Sequence, residues 1–157
     1  MTTTSGIVAG VQYAVDNTII FNVPSSYSYV SGTTFTFTNI VSQGSNPACS
    51  LNTSTGVFTC NYTGTYIVHA TPYFANMGGT VGITGAVYVN GSLYHTTASF
   101  SGVVSFNGSY ANVPIITMID VTTPGTTFTM VITNSATSSL PVQSGTTGSY
   151  GYVLYIA

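Results

Sequence analysis

The chain has 157 residues, no Lys or Arg, two acidic residues and two His, for a formal net charge of -2 at pH 7. With charged residues at 1%, against roughly 25% in an ordinary soluble domain, ion pairs cannot organise the fold. Nucleic acid is excluded as a partner because no cation is present to release phosphate counterions, and anchoring on anionic lipid or bidentate capture of phosphate fails for the same reason.

No apolar run approaches the 18 or so residues of a spanning helix, so membrane insertion is not expected. The opening MTTTSGIVAGVQ lacks the basic and apolar regions of a signal peptide, and its Met1 reads as the start of a direct translation product. With 12 Tyr, 8 Phe and many Val and Ile, the sequence is not that of a disordered chain. Its length predicts one domain, residues 11–157, behind a small-residue segment, 1–10, expected to be flexible and to attach the domain to a larger assembly.

β-Branched and aromatic runs bounded by Gly, Asn, Pro and Ser predict an all-β chain. In order, the expected strands are Val11–Val15, Thr18–Asn22, Thr33–Val41, Gly56–Asn61, Gly64–Phe74, Val81–Asn90, Ser92–Ser99, Ser109–Val121, Thr126–Thr133 and Ser149–Ile156. Asn90-Gly91 between AVYV and SLYH is a type I′ hairpin signal that pairs those two runs. In GTYIVHATPYF, alternation puts Tyr66, Val68 and Ala70 on one face and Ile67, His69 and Thr71 on the other. Pro72 and Pro114 each remove a ladder donor, so an edge or bulge is expected at the first and a break or register shift at the second. Ten short strands of this kind predict a sandwich or jelly roll.

The chemically competent side chains are Asp16, Asp120, His69, His95, Cys49, Cys60 and hydroxyls. No GxSxG elbow is present and both His fall in expected strands, so no catalytic residue is assigned. The bland reading is that both His are hydrogen-bonded in the sheets or across a subunit contact. Two carboxylates far apart in sequence and two His could make a metal site only if folding or three-fold symmetry brought them together, and no metal or other cofactor is assigned. Asp16 and Asp120 read as turn or loop hydrogen-bonding groups. Cys49 and Cys60 flank ACSLNTSTGVFTC, a spacing that a hairpin brings within disulfide range. A bridge there would contribute roughly 2 to 3 kcal/mol, and two reduced, buried thiols are the equal alternative. Sequons stand at Asn52, Asn61, Asn90 and Asn107, a weak signal in so Thr-, Ser- and Asn-rich a chain. The 13% of aromatic residues, none of them Trp, would suit a sugar-binding surface, but Tyr and Phe at strand spacing belong more often to cores and interfaces.

The stretch STGVFTCNYTGTY resembles the signature of the complement-1q globular head, within the tumour necrosis factor superfamily, with Gly56, Phe58, Thr59, Cys60, Gly64 and Tyr66 at its marked places. VYVNGSLY and GSYGYVLYIA resemble the strands that follow, extending the resemblance over residues 33–157. The family's Gly-Asp pair is replaced by Gly125-Thr126, its calcium-binding acids have no counterpart, and no collagen stalk precedes the domain. The resemblance implies a ten-stranded jelly roll that assembles as a homotrimer and carries no catalytic residues. The contact between copies is expected to include some of Tyr66, Tyr88, Phe128, Tyr150 and Tyr152.

The sequence thus predicts a non-enzymatic structural or surface-display protein, foremost a trimeric virion component such as a capsid vertex, a capsid decoration or a fibre head. Its place would be a virion or other extracellular particle surface. Its partners would be copies of itself and, through residues 1–10, other coat or capsid subunits. The alternative is a receptor- or glycan-binding head on a viral, spore or cell-surface appendage, with a host glycan or receptor as partner.

Overall fold

Apolar side chains recurring at every second residue force strands that bury one face, and this period governs most of the chain. The computed structural model describes residues 17–74, 79–104, 111–134, 139–144 and 148–157. Its strands are β1 (Thr18–Asn22), β2 (Tyr27–Val30), β3 (Asn39–Ser42), β4 (Cys49–Asn52), β5 (Val57–Cys60), β6 (Gly64–Thr71), β7 (Tyr73–Phe74), β8 (Gly79–Val89), β9 (Ser92–Val104), β10 (Ala111–Asn112), β11 (Ile115–Val121), β12 (Thr126–Asn134), β13 (Ser139–Val142) and β14 (Tyr150–Ile156). No helix occurs among the described residues.

The strands form two five-stranded sheets, ordered β11-β6-β14-β1-β3 (sheet I) and β4-β5-β12-β8-β9 (sheet II), and a small sheet ordered β10-β7-β13-β2. Sheets I and II thus hold the ten strands of a jelly roll, and four short strands are added to them. The two sheets meet through one aromatic core. Phe21 of sheet I lies 5.0 Å from Phe58 of sheet II, Phe58 stacks on Phe128 at 4.6 Å and 5°, and Phe37 and Phe35 continue the chain at 4.5 and 4.9 Å. Such tilted and stacked ring pairs each add about 0.5–1.5 kcal/mol beyond the area they bury.

Tyr66, Val68 and Ala70 are buried and Ile67, His69 and Thr71 half-buried, the two faces that alternation predicts. Asn90 (φ 48°) and Gly91 (φ 78°) make the β8–β9 turn. At Pro72 the long strand divides into β6 and β7, and at Val113-Pro114 its partner divides into β10 and β11. The two breaks face each other, joined by the Val113 N–H to the Pro72 carbonyl at 3.0 Å. The ladder therefore passes as a pair from sheet I into the small sheet. Ser149, fully buried, fastens this corner: its Oγ accepts the Tyr73 N–H at 2.8 Å and its carbonyl accepts the Val23 N–H at 2.9 Å.

Several expectations need correction. Thr33–Val41 is not one strand: Thr34 only bridges Val131, Phe35 and Phe37 plug the core from an extended segment, and pairing begins at Asn39. The strands β2 and β13 were not foreseen. β9 runs to Val104 rather than Ser99. Asp120 lies in β11 rather than in a turn, opposite Thr65, whose hydroxyl donates to its carboxylate at 2.7 Å. Residues 1–10, the expected strand Val11–Val15, Asp16 and the sequon at Asn107 lie outside the described residues.

Candidate functional site

The outer face of sheet I is built from the residues that point away from the core in β11, β6, β14 and β1. Backbone register aligns them in rows: Ile116, His69, Tyr152 and Ile20 form one, and Met118, Ile67, Leu154 and Thr18 the next. Ile116 is 58% exposed, Met118 62% and Tyr152 39%, with Ile20, Tyr150 and Ile156 also exposed. Isolated exposed apolar residues are ordinary, whereas a contiguous field of them on one sheet marks a surface that is normally covered.

At the β11 edge the field continues into an open groove lined by Ile67, Tyr94, His95, Ile116, Thr117 and Met118. Register skips Tyr94 in the β8–β9 ladder, so a bulge sets this tyrosine at the rim, where it and Leu93 are exposed. Polar content on the field is sparse. His69 stacks on Tyr152 at 5.0 Å and 25°, and its Nδ1, buried between the strands, has no hydrogen-bond partner among the described residues. The hydrogen bond expected for His69 within the sheet is therefore absent at Nδ1. Asp120 stands on the same face four residues of β6 register away, about 13 Å at the strand rise. His69 and Asp120 are too far apart to act on one proton, and no group of three metal-ligating side chains occurs among the described residues.

Of the interface candidates, Tyr150 and Tyr152 lie exposed on this face. Tyr88 is half-buried on the outer side of sheet II, opposite Thr129. Tyr66 and Phe128, 0% and 1% exposed, are core residues with no surface to offer another copy. Tyr66 accepts the Tyr62 N–H at 3.2 Å and lies 3.0 Å from the Ala48 carbonyl, and burial pushes its phenol well above the usual range. Sequence reasoning missed Ile116 and Met118. Their signal was present: IITMI is apolar on both faces, as in strands covered on both sides.

Cys49 and Cys60 stand opposite each other in the β4–β5 ladder, both buried and both free thiols. The neighbouring Cys60 thiol, together with desolvation, holds the Cys49 thiol well above its ordinary pKa, so it is a poor nucleophile. Of the described sequons, Asn52 closes an Asx turn by accepting the Ser54 N–H at 3.0 Å, Asn61 donates to the Pro47 carbonyl at 2.8 Å, and Asn90 accepts the Thr127 N–H at 2.9 Å.

Two five-stranded antiparallel sheets closed over an aromatic core, one with an apolar outer face, define a jelly roll of the tumour necrosis factor type. The chain is similar in structure to Eiger TNF from S. frugiperda, with a TM-score of 0.61 and 12% identity over 89% of this chain and 92% of that one. It is likewise similar to murine APRIL, with a TM-score of 0.57 and 11% identity over 88% and 98%. Both are jelly-roll proteins of the tumour necrosis factor superfamily, so the family resemblance read in the sequence holds at the level of fold. No protein-family model and no curated protein matches the sequence.

Proposed function

We propose that this chain is a non-enzymatic display protein that assembles as a homotrimer through the outer face of sheet I and stands on the surface of an extracellular particle, a virion foremost. The observation that carries the reading is the row Ile116, His69, Tyr152 and Ile20, a largely apolar strip across four strands of one sheet. A second copy of the chain is its occupant, because a surface almost free of charge sets up no repulsion between copies. Cohesion then comes from burial and shape, and obligate interfaces of this kind exceed about 2,000 Å².

Particle display is supported by the composition. A chain without Lys or Arg has no tryptic cleavage site, which suits a protein exposed to digestive proteases. Residues 1–10 are the segment proposed to join the domain to the particle. Native mass spectrometry of the full chain at micromolar concentration tests the assembly, with a trimeric mass expected and a monomeric mass overturning it. Immunogold labelling of intact particles tests the location, and labelling confined to the interior of host cells would refute it.

A further inference from the structure

At the end of the sandwich away from the proline corner, Asn17, Asn46, Tyr62, Tyr155 and Ala157 enclose a pocket of about 240 Å³. We propose that this pocket binds a neutral pyranose sugar. The inference goes beyond the assembly role and does not rest on it, because the pocket is built within one copy.

Two aromatic rings form the walls. The Tyr62 and Tyr155 centroids are 6.2 Å apart with planes tilted by 39°, a wedge that offers a ring face to the C–H side of a sugar and is too splayed to sandwich a flat base. Both rings are held before any ligand arrives. The Tyr155 hydroxyl donates to the Thr63 carbonyl at 2.7 Å, its ring packs 5.0 Å from that of Tyr66, and its N–H donates to the Asn17 carbonyl at 2.9 Å. The Tyr62 hydroxyl donates to Asn46 Oδ1 at 3.0 Å. Fixed walls cut the ordering cost that weakens most sugar binding.

Gly64 makes this packing possible. At φ 142° it carries no side chain, and an added Cβ would fall 2.6 Å from Tyr155 Cε2 and 2.8 Å from the Ile156 carbonyl. The glycine therefore lets Tyr155 lie against the β6 backbone.

The polar groups left over match vicinal hydroxyls. Asn46 keeps its Nδ2 donors, the side-chain amide of Asn17 makes no hydrogen bond among the described residues, and both phenol oxygens retain acceptor capacity. Sugar hydroxyls donate and accept at once, as this set requires. No Asp or His side chain lines the pocket, whose walls present aromatic faces, amides and hydroxyls. The volume lies below the roughly 300–1,000 Å³ of sites for drug-sized molecules, which limits the occupant to one sugar ring.

Saturation-transfer NMR on the full chain tests this with glucose, galactose, mannose and N-acetylglucosamine, each at about 10 mM to suit millimolar affinity. The expected result is transfer to the ring C–H protons of at least one of them. Tyr62→Ala, at an exposed position, should keep the melting temperature and weaken binding by at least about tenfold, one decade of affinity. Tyr62→Phe, which keeps the ring, should bind far better than Tyr62→Ala, and Gly64→Ala should lose binding by displacing Tyr155. No transfer from any of the four sugars, binding indifferent to Tyr62→Ala, or transfer to adenosine alone would each overturn the proposal.

Discussion

The outer faces of the two large sheets are made by the same alternation and differ in how much large apolar surface they expose. On sheet I the outward positions include Ile20, Ile116, Met118, Tyr150, Tyr152 and Ile156, all exposed, beside Thr18, His69 and Asp120. On sheet II the paired outward positions are Thr59 and Thr127, then Thr129 and Tyr88, then Val131 and Ala86. Threonine satisfies both demands on a solvated strand, since its branched Cβ favours the extended backbone and its hydroxyl stays in water. In a chain with only two carboxylates to mark its surface, the density of Ile, Met and Tyr at outward positions distinguishes the outer face of sheet I from that of sheet II.

The largest expected effect comes from placing a cation on each face. In the proposed trimer, Ile116→Lys should give monomers in native mass spectrometry, because burying an ammonium between copies carries a desolvation cost of several kcal/mol. Thr129→Lys, at the centre of the other outer face, should leave the assembled mass unchanged, and dissociation by both variants would break the comparison. Next in size is Gly151→Ala. An added Cβ there would sit 2.6 Å from the His69 carbonyl and 2.6 Å from Phe21 Cε2, pressing on sheet I from its buried side. We expect a loss of about 1–3 kcal/mol in denaturant unfolding, with the trimeric mass kept at micromolar concentration.

A smaller effect belongs to alkali. Burial raises the phenols of Tyr27, Tyr29 and Tyr66, and the neighbouring Cys60 thiol together with burial raises the Cys49 thiol. All are acids whose folded pKa exceeds the unfolded value, so at high pH the native state holds more protons than the unfolded one. Their contribution is complete below the unfolded values, about 8.5 for Cys and 10 for Tyr, and is lost as the pH climbs toward the folded ones. Thermal melting should therefore be nearly flat from about pH 5 to 8 and fall steeply above about pH 10. A steep fall on acidification to pH 5 would contradict this. The smallest effect is Thr129→Val, expected to change stability by no more than about 0.5 kcal/mol.

Much of this architecture was legible in the chain because it is written locally. The β6 alternation, the Asn90-Gly91 turn and the two proline breaks each depend on a few neighbouring residues. The small sheet was not legible. Its strands β2 and β13 read as Tyr-Ser-Tyr-Val and Ser-Leu-Pro-Val, and they are strands only because a distant partner supplies the ladder, Tyr29 facing Leu140 across the fold. Aromatic character alone makes Tyr66 and Phe128 interface candidates, but it does not tell a core from a contact. Parity does, and Tyr66 shares its face with Val68 and Ala70, the narrow buried side of β6. The pocket at Tyr62 and Tyr155 joins residues far apart in sequence, and only the closing strand beside β6 brings them together.

The paired thiols of Cys49 and Cys60 give the molecule an internal clock. They are its only sulfhydryls, both are buried, and they lie on β4 and β5 at one border of sheet II. A thiol-reactive dye can reach them only after that hairpin lifts from the core. The labelling rate at low denaturant therefore reports how often this border opens, and its convergence with the global unfolding rate at higher denaturant would mark where local fraying gives way to cooperative loss of the whole sandwich.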